Sequence, residues 1–218
     1  LGLRMFGVLA SLHNAPLTLE RTGSLLTRNL DGMAEALSAF GVTVTQTAPG
    51  QHPCIQGPLR GGDVSVDAAG SSQVLTGLLC ALAHADGDSV LNLHGVVSRP
   101  YIQMTLEVLE DMGLDIELLE EDEDARTLLL RVPGSQRAQA RDMAIDGDWS
   151  AAAFLLGLGA LCAPHHLNVE GLHSTYTQAD EAIKGALLFG GCRLAGTDEG
   201  VQIMAGKPKA CPVDLTDS

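Results

Sequence analysis

Aromatic residues are scarce in this chain, 3% of 218 residues, with a single tryptophan. A core organised around stacked rings is therefore excluded. It has to be built from Leu, Val, Ala and Ile within a sequence that is 45% apolar, long enough for one or two domains with real cores. Cysteine offers no framework either. Cys54, Cys80, Cys162, Cys192 and Cys211 are odd in number, widely spaced and without a C-x-x-C, which points to reduced thiols in a cytoplasm-like compartment. Positive charge is short: 13 Lys and Arg stand against 27 Asp and Glu, a net charge of −14. That balance excludes a general nucleic-acid or anionic-membrane surface, so an anionic substrate would need a local positive pocket. The longest apolar stretch, 151–164, is too short to span a bilayer and is broken by glycines. No signal peptide is visible, and the chain does not begin with Met.

What the chain does contain is a repeat. Leu17-Thr18-Leu19, Leu91-Asn92-Leu93 and Leu167-Asn168-Val169 are alternating, strand-like triplets 74 and 76 residues apart. Each leads through a loop into an amphipathic helix and then a small turn: Ala39-Phe40-Gly41, Asp111-Met112-Gly113 and Leu188-Phe189-Gly190. A strand follows each turn, over 42–47, 115–119 and 192–195. A second helix precedes each triplet, over 2–12, 71–85 and 150–162, apolar nearly all round, as suits a helix at the centre of a domain. In the outer helix 101–112, by contrast, Ile102, Leu106, Leu109 and Met112 share one face. Each unit reads βαβαββ, an α/β architecture with helices inside and sheet outside. The first copy lacks its opening strand, and the strand-like segment 211–216 should lead into a further buried helix. The chain therefore reads as a piece of a larger protein, divided into domains at 1–145 and 146–218.

Two segments carry chemistry. Ser71-Ser72-Gln73 and Ser98-Arg99-Pro100-Tyr101 each sit where a strand ends and a helix begins. Such a place presents free backbone N–H groups and the positive end of a helix dipole to an anion. Two hydroxyl-rich helix starts side by side would hold a small, oxygen-rich, phosphorylated molecule. The bland alternative is that Ser71 and Ser98 only cap their helices. The acidic run 120–124 reads as a solvated hairpin loop. His165 and His166 read as neighbours on a strand, facing opposite ways, which argues against a shared metal site. No phosphate-binding glycine motif of the nucleotide folds is present.

Taken with Arg60-Gly61-Gly62, Gly147-Asp148-Trp149-Ser150-Ala151-Ala152, Gly2-Leu3-Arg4-Met5-Phe6 and the segment from Gly23 to Arg28, these motifs resemble the middle of the 5-enolpyruvylshikimate-3-phosphate synthase family, in a divergent bacterial branch. The resemblance covers essentially the whole chain. It implies an inside-out α/β barrel of the enolpyruvyl-transferase kind. It implies transfer of the enolpyruvyl group of phosphoenolpyruvate to the 5-hydroxyl of shikimate 3-phosphate, with release of phosphate and with no metal or organic cofactor. It also implies a cytoplasmic protein on the route to chorismate and the aromatic amino acids, monomeric at full length, with small-molecule partners and no nucleic acid or membrane.

Residue by residue, Ser71, Ser72, Gln73, Ser98 and Tyr101 match the positions that hold shikimate 3-phosphate, Ser72 and Ser98 at its phosphate. Arg28, with Gln73, matches the phosphoenolpyruvate grip, where a guanidinium fork suits a carboxylate or phosphate. Its usual context is Lys-Arg-Pro. Here it is Thr27-Arg28-Asn29, and without the proline the following turn is less fixed. Arg4 and Asp148 are secondary candidates: Arg4 could serve in a structural ion pair, and Asp148 is an expected helix cap. The family's catalytic aspartate and lysine match nothing in these 218 residues, so the chain alone is expected to be inactive. The same-fold UDP-N-acetylglucosamine enolpyruvyl transferase is the nearest alternative, though its cysteine loop is not recognisable. A non-catalytic ligand-binding module is the other.

Overall fold

In the computed structural model, which describes residues 2–69, 72–207 and 209–210, the chain forms two compact units, one up to Ala140 and one from Arg141. The first runs α1 (Gly2–Ala10), β1 (Leu17–Thr18), α2 (Asp31–Ala39), β2 (Thr43–Thr45), β3 (Cys54–Gln56), β4 (Asp63–Asp67), α3 (Ser72–His84), β5 (Ser89–His94), α4 (Arg99–Asp111), β6 (Glu117–Asp122) and β7 (Thr127–Val132). The second runs α5 (Trp149–Cys162), β8 (Leu167–Glu170), α6 (Ile183–Phe189), β9 (Arg193–Thr197) and β10 (Gly200–Met204). The division falls between Ala140 and Arg141. Asp146 accepts from the Thr175 and Tyr176 N–H groups, and Gly147 N donates to Gly171 O, so this stretch is tied into the second unit.

The three copies have one topology. The sheets are ordered β1-β3-β2, β5-β7-β6 within the four-stranded β4-β5-β7-β6, and β8-β10-β9. The same helix ending sets each copy. After α2, α4 and α6, Gly41, Gly113 and Gly191 take φ of +77°, +72° and +81°. Two reversed hydrogen bonds then close the turn: Gly41 N to Ser38 O with Val42 N to Leu37 O, and likewise Gly113 to Glu110 with Leu114 to Leu109, and Gly191 to Leu188 with Cys192 to Leu187. This is the Schellman arrangement, which needs the left-handed conformation that glycine adopts without a Cβ penalty. In the third copy the left-handed residue is Gly191. Gly190, which the sequence pattern singles out, has φ −67°.

The central helix of the first unit behaves as expected. α3 buries Val74, Leu75, Leu78, Leu79, Leu82 and several small residues against α1, α4 and the sheet. Leu91, Leu130 and Leu128 meet it from β5 and β7, whose period-two alternation places them on the inner face. α1 and α5 depart from the expectation. In α1 only Gly7 and Val8 are buried. In α5, Trp149, Ala152, Leu156 and Ala160 form the core of the second unit, while Phe154, Leu158 and Leu161 are 82%, 57% and 70% exposed. The reason lies in the packing. α5 rests on β8, β10 and α6, all on one side, so an all-round apolar helix has only one face covered within its unit.

Two smaller readings also change. Glu120, Glu121 and Asp122 belong to β6, an exposed edge strand, with the turn beginning at Glu123. Charged side chains are a common means of keeping such an edge from pairing. His165 and His166 lie in the turn before β8, not on the strand. Cys211 and the strand expected over 211–216 lie outside the described residues.

Candidate functional site

β4 and β5 are parallel neighbours, paired from Asp63↔Val90 to Asp67↔His94. Parallel strands must both end on the same side of the sheet, and here each ends in a loop that opens a helix: β4 into α3 and β5 into α4. One hydrogen bond follows this last pair, with Ala68 N donating to His94 O at 2.8 Å. Asp67 Oδ1 accepts from Ala69 N at 2.9 Å and turns the chain away. Gly95, at φ +64°, lets the second loop lie against the first: a Cβ there would stand 3.0 Å from Ala69 Cβ and 3.3 Å from Asp67 Oδ1. The starts of α3 and α4 are thereby held side by side, where ligands gather at the carboxyl ends of parallel strands.

The helices stay together below their starts. The Thr105 hydroxyl donates to Tyr101 O at 2.8 Å, and the Thr76 hydroxyl, 2.9 Å away, must then donate to Thr105 Oγ1. Ser72 opens α3, with Gln73 half-buried behind it; Ser71 lies outside the described residues. Ser98 precedes α4 in the left-handed region, φ 53° and ψ 47°, and its side chain makes no capping hydrogen bond. The bland role expected of Ser98, a side-chain cap, is therefore not the one it plays. A non-glycine residue in this region is strained, and such residues gather where function requires them. Tyr101 is half-buried in the first turn of α4, its N–H donating to Ser98 O. Arg99 turns its Nε and Nη2 onto Glu121 Oε1, both at 2.6 Å, and its hydrogen bond holds the Glu121 carboxyl below the usual range. Arg99 Nη1 is buried without a hydrogen-bond partner among the described residues.

Next to the start of α3, within the same unit, is a cavity of about 220 Å³. Arg4 of α1, the stretch Asn29 to Met33 at the start of α2, Val66 to Ala68 at the end of β4, and Val74 and Leu75 of α3 line it. The structure thus brings Arg4 and the residue that follows Arg28 to the loop that precedes Ser72. Arg28 itself is exposed, at the end of a 3-10 turn (Gly23–Thr27), its N–H donating to Leu25 O. Asn29 does part of what the missing proline would do: its Oδ1 accepts from Asp31 N at 2.8 Å and fixes the entry to α2.

Asp148 lies in the other unit and does the structural job foreseen for it. It caps α5, its carboxylate accepting from Ser150 N at 2.9 Å. Sequence reasoning misses Arg21, a charged residue that is only 1% exposed. No pattern in the sequence marks it. Among the described residues no group of three or more His, Cys, Asp or Glu is arranged to hold a metal ion. No described helix is long and apolar enough to cross a membrane.

Comparison with known proteins adds a family to this geometry. Residues 2–217 match the family model of EPSP synthase (3-phosphoshikimate 1-carboxyvinyltransferase). A 3-phosphoshikimate 1-carboxyvinyltransferase of Methanoculleus marisnigri is 33% identical over 220 residues, 99% of this chain and 50% of that protein. Another, of Thermococcus kodakarensis, is 32% identical over 191 residues, 87% of this chain and 44% of that protein. The chain thus spans about half the length of the curated relatives it matches. Among solved structures, EPSP synthase from Acinetobacter baumannii superposes with a TM-score of 0.68 at 20% identity, over 92% of this chain and 44% of its own. The enolpyruvyl transferase NikO from Streptomyces tendae does so with 0.61 at 18%, over 89% and 44%. At such identities the structural likeness speaks for the fold alone, the α/β fold of the enolpyruvyl transferases. On the family match, which runs almost from end to end, the chain belongs to the EPSP synthase family.

Proposed function

We propose that this chain supplies the shikimate 3-phosphate wall, and one phosphoenolpyruvate-gripping arginine, of an enzyme that transfers the enolpyruvyl group to the 5-hydroxyl of shikimate 3-phosphate and releases phosphate. The observation that carries this reading is the parallel pair β4–β5, which sets the Ser72 and Ser98 helix starts side by side beside a cavity reached by Arg4. In this reading the first unit is the shikimate-phosphate domain and the second begins its partner domain. The reaction takes place in the cytoplasm, on the way to the aromatic amino acids.

The chemistry asks three things of these residues. The phosphate of shikimate 3-phosphate needs short, charge-assisted donors, and the hydroxyls of Ser71, Ser72 and Ser98 with the first N–H groups of α3 and α4 supply them. Tyr101 and Gln73 flank the ring and leave its 5-hydroxyl facing the second substrate. Arg28 holds the carboxylate or phosphate of phosphoenolpyruvate as a fork, with Gln73 beside it, so that the attacking oxygen and C2 of phosphoenolpyruvate meet without free diffusion. The proton taken up at C3 and the proton lost from the hydroxyl need an acid and a base, and none of the residues named here is assigned to either.

Calorimetric titration of shikimate 3-phosphate into the chain, with shikimate and a Ser72→Ala variant as controls, tests the reading. Saturable binding that needs the phosphate and weakens about ten-fold or more in the variant supports it, since a charge-assisted hydrogen bond is worth about 1.5–3 kcal/mol. Equal affinity for shikimate and its phosphate, or an unaffected variant, overturns it.

A further inference from the structure

Arg21 is a charged side chain buried to 1% exposure, and among the described residues no carboxylate lies within ion-pair distance of it. Burying an isolated cation is costly unless its donors are met. They are met by main-chain carbonyls. Nε donates to Gln51 O at 2.7 Å, Nη2 to Ala48 O at 2.8 Å and also to Gln51 O, and Nη1 to Arg28 O at 2.8 Å, with Leu25 O at 3.4 Å. The Arg21 N–H donates to His52 Nδ1, and Gly50 N donates to Leu26 O, so the same two segments are joined on either side of the guanidinium.

Two of those carbonyls belong to Leu25 and Arg28, the residues that bound the last turn before the exposed Arg28 side chain. The turn has no proline to stiffen it. Its place is set instead from within, by one planar fork that reaches the 25–28 turn and the 48–51 strap together. We propose that Arg21 is a positioning residue for Arg28: by gripping the carbonyl of Arg28 it fixes where the Arg28 guanidinium stands, and so sets the affinity for phosphoenolpyruvate without touching it. This rests on the reading of Arg28 given above. A lysine cannot replace it, since a point charge on a flexible stem has no fixed fork to span both segments.

The test uses the 218-residue chain with Arg21→Lys and Arg21→Met variants, the lysine variant deciding where the methionine variant fails to fold. Phosphoenolpyruvate is titrated in the presence of saturating shikimate 3-phosphate, and shikimate 3-phosphate is titrated alone. Amide hydrogen exchange is followed over residues 22–30, 46–53 and 74–83. The expected result is loss of protection over 22–30 and 46–53 with 74–83 unchanged, a fall in phosphoenolpyruvate affinity of about ten-fold or more, and shikimate 3-phosphate affinity unchanged within about two-fold. A merely structural role would weaken both ligands alike or neither. Phosphoenolpyruvate affinity unchanged in the variant, or protection retained over 22–30, overturns the inference. If the unsubstituted chain binds shikimate 3-phosphate and Arg28→Met leaves phosphoenolpyruvate affinity intact, the reading of Arg28 falls first, and the inference with it.

Discussion

Asp67 and His94 stand opposite each other as the last paired residues of β4 and β5, and the chain leaves both toward the same end of the sheet. That single register relation makes neighbours of two helix starts 26 residues apart in sequence, Ser72 and Ser98. Shifting either strand by one residue would turn its inward side chains outward and separate the starts.

The approach of the two loops depends on Gly95. Gly95→Ala places a Cβ 3.0 Å from Ala69 Cβ at a residue with φ +64°. The expected cost is about 1–2 kcal/mol of stability from the left-handed conformation, read as a lower urea midpoint. Affinity for shikimate 3-phosphate should fall further than stability, because the loops must part to admit the methyl group. An Ala variant with full affinity would mean that the loop spacing is not what shapes the site.

For Arg28 the informative comparison is between Lys and Met. Arg28→Lys keeps the charge and loses the fork, and should weaken phosphoenolpyruvate by about ten-fold or more. Arg28→Met should weaken it further. Neither should move shikimate 3-phosphate affinity by more than about two-fold, because the residues proposed to hold it are those at the starts of α3 and α4. Titrations of the two ligands, compared between variants, check this.

The Arg99–Glu121 pair ties the start of α4 to the edge strand β6 and makes a pH-dependent contribution. The Arg99 hydrogen bond depresses the Glu121 carboxyl in the folded state. Its stabilisation is therefore complete above the ordinary glutamate value, 4.5, and is lost as pH falls through the lower folded value. The pair is partly solvated, its side chains 29% and 28% exposed, so its worth is no more than about 1 kcal/mol. Urea midpoints for the native chain and Glu121→Gln should differ at neutral pH and converge in acid. A gap that stays constant as the pH falls through and well below the ordinary glutamate value would show that Glu121 does not carry this dependence.

The bare face of α5 should govern handling of the protein. Phe154, Leu158 and Leu161 form an exposed apolar row on one side of the helix. Leu158→Glu is expected to reduce concentration-dependent light scattering while leaving the melting temperature within a few degrees, because the residue makes no contribution to the core of its unit. A large loss of stability would show that this face is covered in solution.

Much of the fold was legible because its punctuation is local. Leu37 with Gly41 and Val42, and Leu109 with Gly113 and Leu114, are short-range signals that survive in a single sequence. In the third copy the sequence points one residue too early, because Gly190 and Gly191 are adjacent and only packing decides which turns left-handed. The candidate site was legible through Ser72 and Ser98, whose helix-opening positions follow from flanking strands. Arg21 was not, since its burial depends on carbonyls 27 and 30 residues away that no periodicity predicts. The exposure of α5 is hidden in the sequence for a related reason: apolar composition describes what a helix could bury, and only its neighbours determine how much of it is covered.

Trp149 is the one tryptophan of the chain, enclosed in the second unit with its indole N–H on His173 O and Lys184 over its ring at 5.0 Å from the centroid. Intrinsic emission excited at the red edge of the near-ultraviolet therefore speaks for that unit alone. The loops that carry Ser72, Ser98 and Arg28 are silent in this light. A fluorescence titration on the native protein can remain flat while ligand fills the first unit, and an emission melt records only the second unit coming apart.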